Sequence, residues 1–462
     1  MTDLESRAFR ESIFHIASLI QSELDARDHP KALTALLALK RVADLRASGD
    51  LAGFLAYAPV WDEICTAQSP GDALTAAYSR LEEAHPGEKN WFDALIFSPT
   101  RDTLWKKVVS LVSEFSFLDA DPEVFSEMLL QFYRESPGSF ETPRDLAHLL
   151  AGLLEPERGA SIFAPFCQDG AILIEVAREH GTRGITLYAQ TPNDYSRLVT
   201  ALVLLVHNCP DVHVATGDPI LTPRFRQDER CLMVFDRVVG TIPAGAMDWG
   251  SEGMQRDPYL RFVYGVPPRT SRDYAYLSHA IASLTEGGRL VAVVPSGVLF
   301  RSARTEKDIR ANIVSRDRVE AVIALPLRIF PSTAVPFAIL VIAAGKVTER
   351  RDRTIFIDAS RSFLAGRGRS ILRGEDITTV LDAYTTFTTV EGFSAVATID
   401  EIAAQDFNLE VSRYVRPVPS EEQAEPFDID AAIAELKTIR ERKEDALNRF
   451  LESVTRLEHE QR

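Results

Sequence analysis

Apolar residues over the first 135 positions fall three and four apart, the spacing of helices that bury one face. Phe9, Ile13, Ile16, Ala17 and Ile20 make one such stripe. Leu33, Leu36, Leu37, Leu39 and Val42 make another, and Trp61, Leu74, Tyr78 and Leu81 continue it. Pro70-Gly71 and Pro86-Gly87 punctuate the pattern, and 125–133 is one more apolar-faced helix. Residues 1–135 therefore read as an all-helical domain, either a structural cap or a lobe facing DNA or a partner. From 136 to 345 the pattern changes. Short apolar runs at 161–163, 185–188, 212–216, 232–239, 290–294, 321–325 and 337–342 alternate with helical stripes at 171–178, 195–206 and 274–284. That alternation predicts an α/β domain on a parallel sheet, with gaps long enough for crossover helices. Thr142 is placed to cap a helix beginning Pro143-Arg144-Asp145, and Gly287-Gly288 to stop the helix that carries Tyr274 and Leu277.

Residues 346–416 are mixed and more polar, an extension of the same domain. Arg361, Arg367, Arg369 and Arg373 cluster there, either against phosphates or as a solvated loop. An acidic linker at 417–426 precedes a helix over 427–462. Ile429, Ile433, Leu436, Leu447, Phe450, Val454 and Leu457 keep heptad spacing, with Arg440 and Lys443 at the two intervening seam positions. Such a helix either folds onto its own domain or forms an intermolecular coiled coil, and its place after a linker favours the second.

Charge narrows the partners. A net charge of −16 excludes a protein that slides on nucleic acid with a wholly basic face. A local basic groove, or DNA held jointly with a basic partner, stays open. Cys65, Cys167, Cys209 and Cys231 lie far apart without zinc-ligand spacing, so reduced thiols and no metal are expected. The N-terminus has no basic stretch leading into an apolar core, and no apolar run approaches a membrane span. A cytoplasmic protein is expected.

Ligands of open α/β sheets bind beyond the carboxyl ends of strands. The turn Thr241-Ile242-Pro243-Ala244-Gly245, following Phe235-Asp236-Arg237-Val238-Val239, is therefore where chemistry would sit. From Arg261 the chain reads RFVYGVPPRTSRDYAYLSHAIASLTEGGRLVAVVPSGVLF, then RSARTEKDIRANIVSRDRVEAVIALPLRIFPSTAVPFAILVI. Upstream lie FSEMLLQFY and GSFETPRDLAHLL; downstream lie IDASRSF, GEDITTVLDAY and DFNLEVSRYV. In wording and order this text resembles the DNA adenine-N6 methyltransferase subunits of type I restriction-modification systems, over roughly residues 120–416. The resemblance implies a helical N-terminal domain and a Rossmann-like, S-adenosylmethionine-dependent methyltransferase domain. It also implies C-terminal helices that dock on a DNA-specificity subunit; the 427–460 helix is expected to meet such a subunit or a paralogous methyltransferase subunit.

Compared motif by motif, the chemistry is altered. The family's cofactor loop, Asp-Pro-Ala-Cys-Gly-Ser-Gly-Gly, corresponds to Ala164, Pro165, Phe166, Cys167, Gln168, Asp169, Gly170 and Ala171. The lost glycines would have let backbone N–H groups approach the cofactor's carboxylate. Asp169 brings a negative charge there, or caps the next helix as the chain's own anion. Thr142 belongs to the same pocket. Gln190 and Thr191 stand where the family has Gln-Glu, so one neutral hydroxyl replaces the carboxylate that grips the ribose, unless Asn193 or Asp194 substitutes. Asp218 is retained, to bond the cofactor's adenine amine or to cap a helix. The catalytic Asn-Pro-Pro-Phe or Tyr becomes Thr241, Ile242, Pro243 and Ala244. The family's Asn and the next carbonyl accept the adenine N6 hydrogens, and the aromatic ring stacks on the flipped base.

The resemblance therefore implies a catalytically inactive methyltransferase-like subunit that binds DNA, a partner or both, with no cofactor. The alternative is an active adenine methyltransferase that uses S-adenosylmethionine with divergent motifs. A Rossmann enzyme for another nucleotide would need an intact glycine-rich turn, and only Gly170 remains. Arg256, Arg261, Arg269 and Arg272 flank the turn after the fourth strand, either meeting phosphates or salt-bridged to the chain's own acids.

Overall fold

A computed structural model describes residues 3–416 apart from 26–27, 49–59, 84–96, 118–120, 135–140, 183, 208, 210, 244–247, 253 and 332; beyond 416 it describes Arg440 and Lys443, both helical. Among the described residues six α-helices come first: α1 (Asp3–Gln21), α2 (Asp28–Ala47), α3 (Trp61–Thr66), α4 (Pro70–Glu83), α5 (Asp102–Ser113) and α6 (Pro122–Arg134). Their apolar faces meet around Trp105 and a cluster of Phe9, Phe117 and Phe125, whose rings pack at 5.3–6.1 Å. That core is continuous with one face of the sheet that follows.

The sheet has nine strands. In chain order they are β1 (Ser161–Ala164), β2 (Thr186–Thr191), β3 (Val212–Thr216), β4 (Phe235–Thr241), β5 (Leu284–Pro295), β6 (Val319–Ala324), β7 (Phe337–Ala343) and β8 (Arg353–Asp358). A small hairpin, β9 (Leu364–Ala365) with β10 (Ser370–Ile371), lies apart, and β11 (Ser394–Thr398) closes the edge in the order β11-β8-β6-β7-β5-β4-β1-β2-β3. Helices α7 (Arg144–Leu154), α8 (Ala171–His180) and α9 (Asp194–Val206) pack with the N-terminal helices on one face. Helices α10 (Arg272–Ala282), α11 (Gly297–Phe300) and α12 (Arg304–Ser315) cover the other. After β10, α13 (Gly374–Thr386) crosses α7, so closely that a Cβ on Gly152 would lie 2.7 Å from Leu381, and α14 (Ile399–Ala404) follows β11.

Three expectations need correction. The sheet is mixed: β7 runs antiparallel to both β5 and β6, and β11 antiparallel to β8. Among its described residues the connection 325–336 holds no helix, so the chain doubles back instead of crossing over. Thr142 caps nothing. Pro143 is the cap residue, its carbonyl accepting from Ala147 N at 2.9 Å, and the helix starts at Arg144. Gly287-Gly288 does not end a helix either. α10 stops at Ala282, and the glycines lie inside β5, where a Cβ on Gly288 would sit 3.0 Å from the Phe235 carbonyl.

Residues 346–416 add β8 and β11 to the edge of the same sheet. The chain divides into a unit of residues 1–416 and a second of 417–462. The heptad expectation lies outside the described residues apart from Arg440 and Lys443. Among the described residues no helix is long and apolar enough to cross a membrane, and no group of His, Cys, Asp and Glu could hold a metal ion.

Candidate functional site

The parallel strands β1, β2, β3, β4 and β5 all end on one rim, and residues 164–171, 190–194, 218 and 241–243 lie at the strand ends or on the loops there. Ala164 is the buried last residue of β1. Pro165 to Asp169 turn into α8, and Cys167 N donates to the Gln190 carbonyl at 3.0 Å, which ties this loop to the end of β2. The Cys167 thiol lies 3.6 Å from Thr200 Oγ1, and burial pushes its pKa up to about 12, which disfavours the thiolate. Gly170 has φ of 82°, and a Cβ there would lie 3.1 Å from Val203 and 3.2 Å from the Thr200 backbone. Only glycine allows α8 and α9 this approach.

Asp169 fills its expected role in part. Gly170 holds the cap position, while Asp169 Oδ1 accepts from the Ala171 N–H at 3.0 Å. Its Oδ2 is buried with no partner, and burial drives the carboxyl up to about pH 7, with Glu141 raising it and Arg134 opposing.

The end of β2 is closed. Thr191 is fully buried, and its hydroxyl donates to the Asn193 and Ala215 carbonyls, each at 3.3 Å. Asn193 caps α9 by accepting from Ser196 N at 2.9 Å. Asp194 accepts from the Thr216 hydroxyl at 2.8 Å. Gln190 braces the next loop, donating to the Gly217 and Thr222 carbonyls at 2.9 and 3.0 Å and accepting from Arg224 N at 3.1 Å.

Both oxygens of Asp218 are engaged. Oδ1 accepts from the Ile220 and Leu221 N–H groups at 2.8 and 3.2 Å, which organises a turn rather than a helix start. Oδ2 accepts from the Tyr276 hydroxyl, brought over by α10. The Tyr276 ring lies 5.1 Å from that of Phe166, and both are buried. Phe166 belongs to the cofactor-loop motif, but its contact with Tyr276 is not encoded in either residue's surroundings in the sequence. An aromatic at the motif's alanine position was a visible signal for Phe166; nothing local pointed to Tyr276.

Thr241 ends β4, and its Oγ1 is buried without a hydrogen-bond partner. Ile242 is buried, its N–H donating to the Val293 carbonyl at 2.9 Å; Pro243 is half-buried, and Ala244 lies outside the described residues. Of the flanking arginines, Arg261 is buried, paired with Asp257 at 2.6 Å and donating to the Ile220 carbonyl at 2.9 Å. It is a strut, not a phosphate contact. Arg269 pairs with Asp248 at 3.2 Å, Arg272 donates to Tyr276 at 3.3 Å, and Arg256 is exposed.

The family model for N-6 DNA methylases matches residues 123–423, well over half of the chain. The type I restriction enzyme MjaVIII methylase subunit of Methanocaldococcus jannaschii is 28% identical over 428 residues, covering 86% of this chain and 72% of that protein. The MjaVII methylase subunit of the same organism is 27% identical over 366 residues, covering 75% of this chain and 62% of that protein. Among solved structures, the type I restriction-modification system methyltransferase subunit from Streptococcus thermophilus superposes with a TM-score of 0.71 at 20% identity, covering 89% of this chain and 99% of that one; this likeness concerns the fold. The chain belongs to the N-6 DNA methylase family, and it is similar to methylase subunits of type I restriction enzymes.

Proposed function

We propose that this chain is a non-catalytic methylase-like subunit of a restriction-modification or related defence complex, acting in DNA and partner binding. One observation carries the reading: the groups at the ribose and adenine positions, Thr191 and Asp218, are spent on the protein's own atoms. S-adenosylmethionine needs an acceptor for its ribose hydroxyls, N–H donors for its carboxylate and an acceptor for its adenine amine. Thr191 is fully buried and donates inward, Asp169 puts an acid beside the N–H groups of α8, and Asp218 is held by Tyr276. The residues present do not fit that cofactor.

The base side agrees. Thr241 carries no amide oxygen to accept from adenine N6, and loss of one such group costs roughly a hundredfold or more in rate. Ala244 offers no ring, and a lost stack costs on the order of 1–3 kcal/mol in base binding.

Retained Gly170 and Asp218 favour the second reading, an active methyltransferase with divergent motifs. Both have structural uses without a ligand: Gly170 lets α8 meet α9, and Asp218 builds its turn. Methyl transfer from radiolabelled S-adenosylmethionine to duplex DNA by the full chain separates the readings. No label in the DNA is the expected result, and transfer above a no-protein blank would establish the enzyme. For partner binding, the 427–460 heptad is the proposed contact with a specificity-type or paralogous methyltransferase subunit. Its deletion is expected to abolish co-purification of that subunit, and retained co-purification would refute the assignment.

A further inference from the structure

Strands β6 and β8 are parallel to each other, and each of β6 and β5 is antiparallel to β7, so β6 and β8 end on the same rim as Thr241. Two segments leave that rim, 325–336 after β6 and 359–373 after β8. Together they carry Arg328, Arg361, Arg367, Arg369 and Arg373 and not one Asp or Glu, in a chain whose net charge is −16. The segments are stitched together: Ser370 N donates to the Arg328 carbonyl at 3.0 Å and Ser370 Oγ to the Leu327 carbonyl at 2.7 Å. Two of the arginines hold the surface to the body, Arg369 pairing with Asp145 at 2.9 Å and Arg373 with Asp376 at 2.8 Å. Arg328, Arg361 and Arg367 are exposed, and none pairs with a carboxylate among the described residues. Arg367 sits in the turn of the β9–β10 hairpin, flanked by Gly366 and Gly368. Exposed Leu327, Phe363 and Leu364 lie among these arginines.

We propose that this surface binds the phosphate backbone of duplex DNA, through Arg328, Arg361 and Arg367. Guanidinium groups pair phosphates bidentately, and unpaired ones have no internal partner to surrender. The apolar side chains suit the sugar edges between phosphates. Charge complementarity favours a polyanion, and the shared rim with Thr241 favours DNA among polyanions. The inference rests on reading the chain as a DNA-facing subunit, and it requires neither cofactor nor base flipping.

The test is equilibrium binding of the full chain to a fluorescent duplex of arbitrary sequence across a salt series, for native protein and for Arg328→Gln/Arg361→Gln/Arg367→Gln. Each lost phosphate contact makes the slope of log affinity against log salt shallower by about 0.9. The triple variant is expected to flatten the slope by about two to three and weaken binding about tenfold or more at low salt. Its thermal unfolding is expected to match native, because none of the three side chains braces the fold. Arg367→Lys is expected to keep most of the affinity. Native binding and slope in the triple variant would overturn the proposal. So would the absence of duplex binding by the native chain at about 100 µM in low salt. A polyglutamate peptide bound more tightly than DNA, and lost in the same variant, would assign the surface to an acidic protein instead. Methyl transfer by the chain would end the non-catalytic reading and leave this one standing; an unchanged salt slope would do the reverse.

Discussion

The Tyr276 hydroxyl donates to Asp218 Oδ2, so the one cofactor-motif carboxylate this chain keeps is capped from α10. Burial, with the bond to Asp218 adding to it, raises the tyrosine's pKa to about 12, which keeps the phenol a donor throughout the physiological range. Tyr276→Phe removes that donor while Oδ1 keeps its two N–H partners. A loss of about 1–2 kcal/mol in chemical denaturation is expected. Freeing the carboxylate is not expected to create S-adenosylmethionine binding, because Thr191 stays buried; appearance of binding in this variant would show that the phenol alone shuts the pocket.

Asp169 predicts a pH dependence. Its folded pKa of about 7 lies above the usual value of 3.8, so the folded state favours the protonated acid. The associated stability is fully present below about pH 4 and is lost as pH rises through about 7. Asp169→Asn keeps the acceptor for Ala171 N and removes the buried charge. It is expected to stabilise the protein by on the order of 1–3 kcal/mol at pH 8 and little at pH 4. Thermal unfolding across that range checks this; equal effects at both ends would contradict the assignment.

Gly170 is expected to matter for folding whether or not a ligand ever binds. Alanine there meets both a left-handed backbone and the Thr200 and Val203 contacts. Gly170→Ala is expected to cost roughly 1–3 kcal/mol by urea titration. An unchanged midpoint would remove the structural explanation for its retention.

Arg261→Met separates a strut from a DNA contact. It leaves Asp257 buried without its ion pair, for an expected loss of about 3 kcal/mol or more. The salt slope of DNA binding by the folded variant is expected to stay native. A flattened slope at native stability would return Arg261 to the DNA surface.

Much of this was legible beforehand, for physical reasons. Period-two and period-four spacing reports which face is buried, so Ile162, Leu187 and Val239 marked strands, and Phe9, Ile13 and Ile16 a helix. The departures at Thr191 and Thr241 were visible because those chemistries need an amide or a carboxylate at a fixed place. What stayed hidden depends on long-range packing. Tyr276 reaches an acid 58 positions away, and no local spacing encodes that. The reversal of β7 follows from how the 325–336 connection folds, not from the strand's own residues. Arg261 could have met phosphates or one of the chain's own acids; the choice of the Asp257 carboxylate and the Pro219 and Ile220 carbonyls is set by the fold. The upward push of burial on the Asp169 carboxyl is tertiary, and no local spacing encodes it.

Restoring the catalytic turn alone is expected to fail. Thr241→Asn with Ala244→Phe supplies the amide oxygen and the ring but leaves Asp169, Thr191 and Phe166 in place. No methylation of duplex DNA above the native chain's level is expected, and robust transfer by this double variant would show that the cofactor pocket still works.

The account stands on the claim that Thr191 and Asp218 are already taken by the protein's own atoms. Calorimetric titration of S-adenosylmethionine into the full chain addresses it most directly. No saturable heat is the predicted result; one-to-one binding with micromolar affinity, weakened by bulk at Gly170, would contradict it.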